Sequence, residues 1–243
     1  MDQYSRTAFL LGKENMEKLQ DAHVAVFGLG GVGGYAVEAL ARSGVGTLTL
    51  VDHDTVSLTN LNRQLLATHA TVGMEKALAA KERVSSIDPG IRVNAICGFF
   101  GPDTKEQFDF ASYDYVVDAI DTVTGKLALV MACQAAGTPI ISSMGAGNKL
   151  DPTAFRVSDI YQTSVDPLAR IMRKECRRRG IESLKVVWST EEPIECTLPP
   201  DDPAWAELPQ GRNALPGSCA WVPSVVGLII AGEVIKEIAN AKC

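Results

Sequence analysis

The segment from His23 to Arg42 constrains this chain more than any other. His23 to Gly28 (HVAVFG) is a short apolar run rich in β-branched residues that breaks at glycine, and Val32 to Arg42 carries apolar residues at helical spacing. Between them lies Gly28-Leu29-Gly30-Gly31-Val32-Gly33, a GxGxxG placed where a strand feeds a helix. Glycines there permit a tight turn and let phosphates approach backbone N–H groups at the positive end of the helix. A glycine-rich turn without any ligand is the bland alternative, and the flanking strand and helix weigh against it. A phosphate-bearing nucleotide is therefore expected at Gly28, Gly30, Gly31 and Gly33.

The alternation continues along the chain. Thr47 to Val51 repeats the strand signal and ends at Asp52, Met74 to Ile87 reads as a helix stopped before Pro89, and Arg92 to Ile96 is another strand. Tyr113 to Ala119 and Pro139 to Ser142 are two further strands around a helix from Thr124 to Ala136 that stops at Gly137. Strands alternating with helices predict an α/β fold, a doubly wound Rossmann-like sheet, mostly parallel, with helices on both faces. The last third is less regular. A helix from Pro167 to Arg179 is expected with Asp166 as its cap, then a strand from Lys185 to Ser189 and a closing helix from Ser224 to Ala239. Glu191 to Gly217 holds six prolines and six acidic residues, which predicts a long loop. At 243 residues and 46% hydrophobic content the chain can bury one substantial core. One unit over 1–243 is expected, with a nucleotide-binding core at 1–147 and a substrate-facing portion at 148–243 that contains the 191–217 loop.

Composition narrows the functional classes. The start of the chain carries Asp2, Gln3, Ser5 and Arg6 and lacks the apolar centre of a secretion signal, so a cytoplasmic location is expected. Trp221 to Val234 is the most apolar stretch, but Pro223, Ser224 and two glycines make it a buried helix and no membrane span. None of the six cysteines is spaced for a zinc ribbon or a redox pair. A net charge of -6 argues against bulk electrostatic coating of nucleic acid and leaves room for a local basic patch.

Asp52 stands where a carboxylate accepts hydrogen bonds from ribose hydroxyls, which suits NAD, FAD and ATP alike. The next segment, from Asp52 through Asp54, Asn60, Arg63 and Gln64, separates them, together with Lys76. A hydride-transfer enzyme has no need of an Asn, an Arg and a Lys after its second strand. Attack on an α-phosphate does, because charge builds on phosphoryl oxygens and on the departing pyrophosphate. Asp118 and Asp121 add carboxylates at the carboxyl edge of the sheet, where a magnesium ion could bridge to phosphates. Taken singly, Arg63 or Lys76 reads as a solvated charge and Asp118 as a helix cap.

The succession GLGGVGG, VDHDTVSLTNLNRQ, Lys76 and DAIDTVTGK resembles the ThiF/MoeB/HesA enzymes, relatives of the ubiquitin-activating enzymes, which adenylate a carboxylate. The resemblance covers Arg6 to about Gly147. It implies that Asp52 holds the ribose, that Asn60, Arg63 and Lys76 hold phosphates, and that Asp121 holds Mg2+. It further implies that Arg6 reaches into a neighbouring subunit's nucleotide site, hence a homodimer. Thr122 departs from the Asn that many members carry after that Asp. The stretch from Ser142 to Ile181, through GAGNKLDPT, VSDI and DPLAR, resembles the branch that acts on the threonyl carboxylate of N6-threonylcarbamoyladenosine in tRNA. That branch would adenylate the carboxylate with ATP and then cyclise the base. The family also allows a K+ or Na+ requirement and a sulfur-transfer partner protein.

A basic stripe supports tRNA on separate physical grounds. Arg170, Arg173, Lys174, Arg177 and Arg178 are expected on one helix face, with Leu168, Ile171 and Met172 on another, and Trp188 nearby to stack on an unpaired base or to sit in the core. Arg173, Arg177 and Arg178 are the expected phosphate contacts. Two alternatives remain at this point, adenylation of a ubiquitin-like sulfur carrier, with Cys176, Cys196 or Cys219 as a reactive thiol, and an NAD-dependent oxidoreductase.

Overall fold

A computed structural model of the chain describes residues 1–195 and 217–241. Among the described residues seven strands form one sheet: β1 (His23–Phe27), β2 (Thr47–Asp52), β3 (Arg92–Cys97), β4 (Tyr115–Asp118), β5 (Ile140–Ser143), β6 (Phe155–Asp159) and β7 (Lys185–Ser189), in the order β3-β2-β1-β4-β5-β7-β6. All pairs are parallel except β6 with β7. The expected doubly wound, mostly parallel sheet is therefore what the chain forms. β6 falls in a stretch with no predicted strand. Phe155 is buried, Arg156 exposed and the other three partly buried, as an edge strand with one neighbour allows.

Seven α-helices cover the sheet among the described residues: α1 (Ser5–Leu11), α2 (Lys13–Asp21), α3 (Gly33–Arg42), α4 (Lys76–Ile87), α5 (Val123–Ala136), α6 (Pro167–Arg178) and α7 (Trp221–Ile238). Strand side chains alternate between faces, so β1 sends Val24 and Val26 into the layer of α3, α4 and α7, and Ala25 and Phe27 into the layer of α5. Val187 and its neighbours Val186 and Trp188 divide the same way on β7. α7 packs on α3 and shares its cluster, so the last helix closes the layer of α3 and α4. The 191–217 loop lies almost wholly outside the described residues. α6 begins as expected, with Asp166 Oδ1 accepting the Ala169 N–H at 2.9 Å and Pro167 in first place.

Candidate active site

β1, β2 and β4 end at one edge of the sheet, and the winding reverses between β1 and β4. In open α/β sheets ligands enter the crevice at such a reversal. A cavity of about 430 Å³ opens there, between the turn after β1, the segment after β2 and the turn after β4. That volume lies in the range of cofactor pockets.

The glycine turn is built for close approach. Gly28 has φ +88°, and a Cβ there would stand 2.6 Å from the Ala119 carbonyl oxygen. Gly30 and Gly31 line the cavity. Gly33 does not: a Cβ would come within 1.8 Å of the Gly28 oxygen, so this glycine serves helix-to-strand packing. The amino end of α3, with its positive dipole end, faces the cavity from this turn.

Asp52 ties the turn to β2. Its Oδ2 accepts the Leu29 N–H at 2.6 Å and its Oδ1 the Asp54 N–H at 2.8 Å, so the carboxylate is fixed by backbone donors and keeps lone pairs for hydroxyl donors. Asn60 Oδ1 accepts the Ser57 N–H at 3.1 Å, which leaves its Nδ2 to donate. Arg63 Nη1 donates to the Thr59 carbonyl and to Asn62 Oδ1, and burial lowers its guanidinium from the ordinary value. Lys76 is 5% exposed and pairs with Asp54. Asp121 lines the opposite wall with Thr122. Asp52, Asp54, Asn60, Arg63, Lys76 and Asp121 thus converge on one cavity. Arg6 does not line it and sits exposed on α1.

The expectations for Asp118 and Ile171 are corrected, the alternatives for Trp188 are decided, and the α6 arginines and Cys176 are given their surroundings. Asp118 is fully buried, bonded to Lys126 and to Ser142, and does not line the cavity, so it cannot be a metal carboxylate there. Trp188 is buried in the layer of α6 and its Nε1 donates to Ser158 Oγ, which rules out base stacking. Ile171 is 45% exposed, and it is Ala169, Met172 and Cys176 that α6 buries. Arg173 is only partly free for phosphate, since Nη1 donates to the Thr163 carbonyl and hydroxyl. Arg177 lies 5.1 Å over the Tyr161 ring, and Arg178 pairs with Glu175 at 2.8 Å. Cys176 has its thiol pushed up to about 11 by burial, far from the depressed value of a reactive thiol.

The sequence alone offers no role for Gln64. It is 8% exposed, lines the cavity, and its Oε1 has no protein partner. A buried acceptor without a donor fits a cavity that takes a donor from a ligand, and the NLNRQ run that ends on it is the signal that marks it. Asp52, His53 and Asp54 place three metal-ligating atoms within 4.8 Å of one another. Lys76 Nζ pairs with Asp54 and two backbone N–H groups bond Asp52, and both carboxylates keep further lone pairs.

The fold and cavity define a nucleotide-binding α/β protein of the doubly wound class, with cationic side chains gathered at the switch point of the sheet. The chain belongs to the ThiF family, whose sequence model matches residues 4–243. It is similar to the tRNA threonylcarbamoyladenosine dehydratase of Bacillus subtilis (strain 168), 44% identical over 241 residues, covering 98% of this chain and 95% of that protein. The crystal structure of the Escherichia coli tRNA N6-threonylcarbamoyladenosine dehydratase in complex with ATP superposes with a TM-score of 0.86 at 34% identity, covering 98% of this chain and 94% of the other. The Escherichia coli (strain K12) molybdopterin-synthase adenylyltransferase is 37% identical, over only 65% of this chain and 64% of its own length.

Proposed function

We propose that this chain uses ATP to adenylate the threonyl carboxylate of N6-threonylcarbamoyladenosine in tRNA and then cyclises the base, with net loss of water. The observation that carries the reading is the convergence of Asn60, Arg63 and Lys76 with the glycine turn in one cavity, beside Asp52 and opposite Asp121. The match to the dehydratases along nearly the whole chain favours tRNA over a sulfur-carrier protein as the acceptor.

In this reading the turn amides and the amino end of α3 receive phosphate oxygens, and Asp52 accepts from the ribose hydroxyls. A carboxylate oxygen of the threonyl group bonds to the α-phosphorus and pyrophosphate departs. Arg63, Lys76 and Asn60 stabilise the charge that develops, in a cavity where fixed donors act more strongly than in water. Asp121 would hold Mg2+, which supplies neutralisation of phosphate charge when bound. Intramolecular attack on the acyl carbon then expels AMP. Tethering of the attacking atom replaces a second encounter, so no cysteine nucleophile is required. Two copies would share each site, with Arg6 of one reaching the nucleotide of the other. The basic face of α6 would track tRNA phosphates, and residues 1–243 would act as one cytoplasmic adenylating unit whose 148–243 portion meets the tRNA.

Exchange of labelled pyrophosphate into ATP tests the reading. Exchange that depends on tRNA bearing the threonylcarbamoyl group supports it, and exchange driven only by a Gly-Gly protein tail replaces it with the sulfur-carrier alternative. The same assay run in K+, Na+ or choline buffer tests a monovalent-cation requirement.

A further inference from the structure

Beneath the turn that carries Asp121 lies a charged pair that the reading above leaves unused. Asp118 ends β4 and is fully buried, and Lys126 stands in the first turns of α5 at 1% exposure. Lys126 Nζ donates to Asp118 Oδ2 at 3.1 Å, to Ser142 Oγ at 3.3 Å and to the Ser143 carbonyl at 2.7 Å, so all three ammonium hydrogens have acceptors. Ser142 Oγ donates to Asp118 Oδ2, and Asp118 Oδ1 accepts the Ile120 N–H at 3.1 Å. The network therefore joins the ends of β4 and β5 to the start of α5.

What it encloses is the turn 119–122. Ala119 N–H donates to the Phe27 carbonyl at 2.8 Å, and the Ala119 carbonyl abuts Gly28 so closely that only glycine fits there. Lys126 N–H bonds the Thr122 carbonyl at 3.0 Å. Ala119, Ile120, Asp121 and Thr122 all line the cavity. A buried ion pair gives little net stability over apolar residues of like volume, because desolvation offsets attraction. Its directional bonds restrain the turn in a way that apolar packing does not.

We infer that Asp118 and Lys126 are positioning residues, which hold the 119–122 turn so that Asp121 presents its carboxylate at a fixed place for a divalent cation. This inference rests on the reading of Asp121 as the Mg2+ residue. Groups that orient a ligand from behind shift metal affinity by about 10-fold to 100-fold when removed.

The test is Mn2+ binding to the full chain in the presence of ATP, followed by the loss of the free-ion electron paramagnetic resonance signal. Asp118→Leu with Lys126→Met removes both charges together and avoids an unpaired buried charge. The expected result is a folded protein whose Mn2+ affinity falls about 10-fold or more, with metal-free nucleotide binding weakened clearly less. Asp121→Asn should also weaken Mn2+, and combining the substitutions should add little, since both act through one carboxylate. Wild-type Mn2+ affinity in the folded double variant, with Asp121→Asn impaired, overturns the inference and leaves Asp121 in its role. Wild-type affinity in Asp121→Asn overturns the reading of Asp121 and the inference with it. Should the double variant not fold, Ser142→Ala keeps both charges and removes one restraint: weaker Mn2+ binding supports the inference, and unchanged binding overturns it.

Discussion

Lys76 Nζ lies 2.7 Å from Asp54 Oδ2, with the lysine side chain 7% exposed and the aspartate 52% exposed. A nearly buried ammonium is costly unless paired, and Asp54 supplies the pair while leaving the cation at the cavity wall. Lys76→Met should lower pyrophosphate exchange by about 10²-fold to 10³-fold, the loss of one fixed donor to a developing charge. Asp54→Asn should lower ATP affinity by only about fivefold, roughly 1 kcal/mol. Pyrophosphate exchange and calorimetric titration with ATP are read on both variants, and equal losses of exchange in the two would contradict the assignment.

Asp121→Asn keeps size and removes the charge that would hold Mg2+. Turnover at saturating Mg2+ should fall by about two orders of magnitude or more, a few kcal/mol of electrostatic stabilisation. Arg6→Ala should lower turnover as well. Mixed dimers of Arg6→Ala and Asp121→Asn subunits should regain activity through one intact composite site, and mixtures no better than their parents would contradict a shared site.

Burial pushes the thiols of Cys133 and Cys176 up to about 12 and about 11. At pH 7 a thiol of pKa near 11 is only about 10⁻⁴ thiolate. Below those values the thiolate fraction rises about tenfold per pH unit and stays minor until they are approached, so alkylation of either at neutral pH should be slow. A Cys176→Ala, Cys196→Ala, Cys219→Ala protein should keep pyrophosphate exchange and cyclisation within about threefold of the parent, under 1 kcal/mol of barrier. Loss of cyclisation with exchange intact would point to a thioester instead.

On α6 the arginines divide by their partners. Arg177→Glu with Arg178→Glu should weaken tRNA binding and flatten its salt dependence by roughly 0.7 to 0.9 in log-log slope per lost contact, with ATP binding untouched. Arg173→Ala should also destabilise the fold by about 1 kcal/mol, because it removes donors from the Thr163 carbonyl and hydroxyl. Filter binding at several salt concentrations and thermal melts read these out. Unchanged slope in the Arg177/Arg178 variant would leave the patch as a solvated face.

The sheet was legible wherever burial on both faces wrote continuous apolar runs, as in β1, β2 and β7, and where a glycine had a steric reason, as at Gly28. β6 escaped because Arg156, Ser158 and Asp159 leave only two apolar residues in it, too weak a run to mark a strand. α1 and α2 were not predicted: α1 buries no residue fully and α2 only Met16 and Leu19, too little to write a clear stripe. The polar residues of the cavity were legible as residues, but which carboxylate after β4 faces it was not. Asp118 and Asp121 are three apart and equal in sequence, and only the fold decides that one is buried against Lys126 while the other lines the cavity. The lysine itself carried a signal, a lone charge among the apolar residues of α5. Trp188 was undecidable locally, since alternation gives it a face but not which face meets α6.

The most direct test of the account is mass spectrometry of nucleosides from tRNA bearing N6-threonylcarbamoyladenosine, after incubation with the purified chain, ATP and Mg2+ and mild extraction. The account predicts that the modified nucleoside loses the mass of one water, with AMP and pyrophosphate formed in equal amounts and no product when NAD replaces ATP. Unchanged nucleoside mass under conditions where the chain exchanges pyrophosphate with a different acceptor would contradict it.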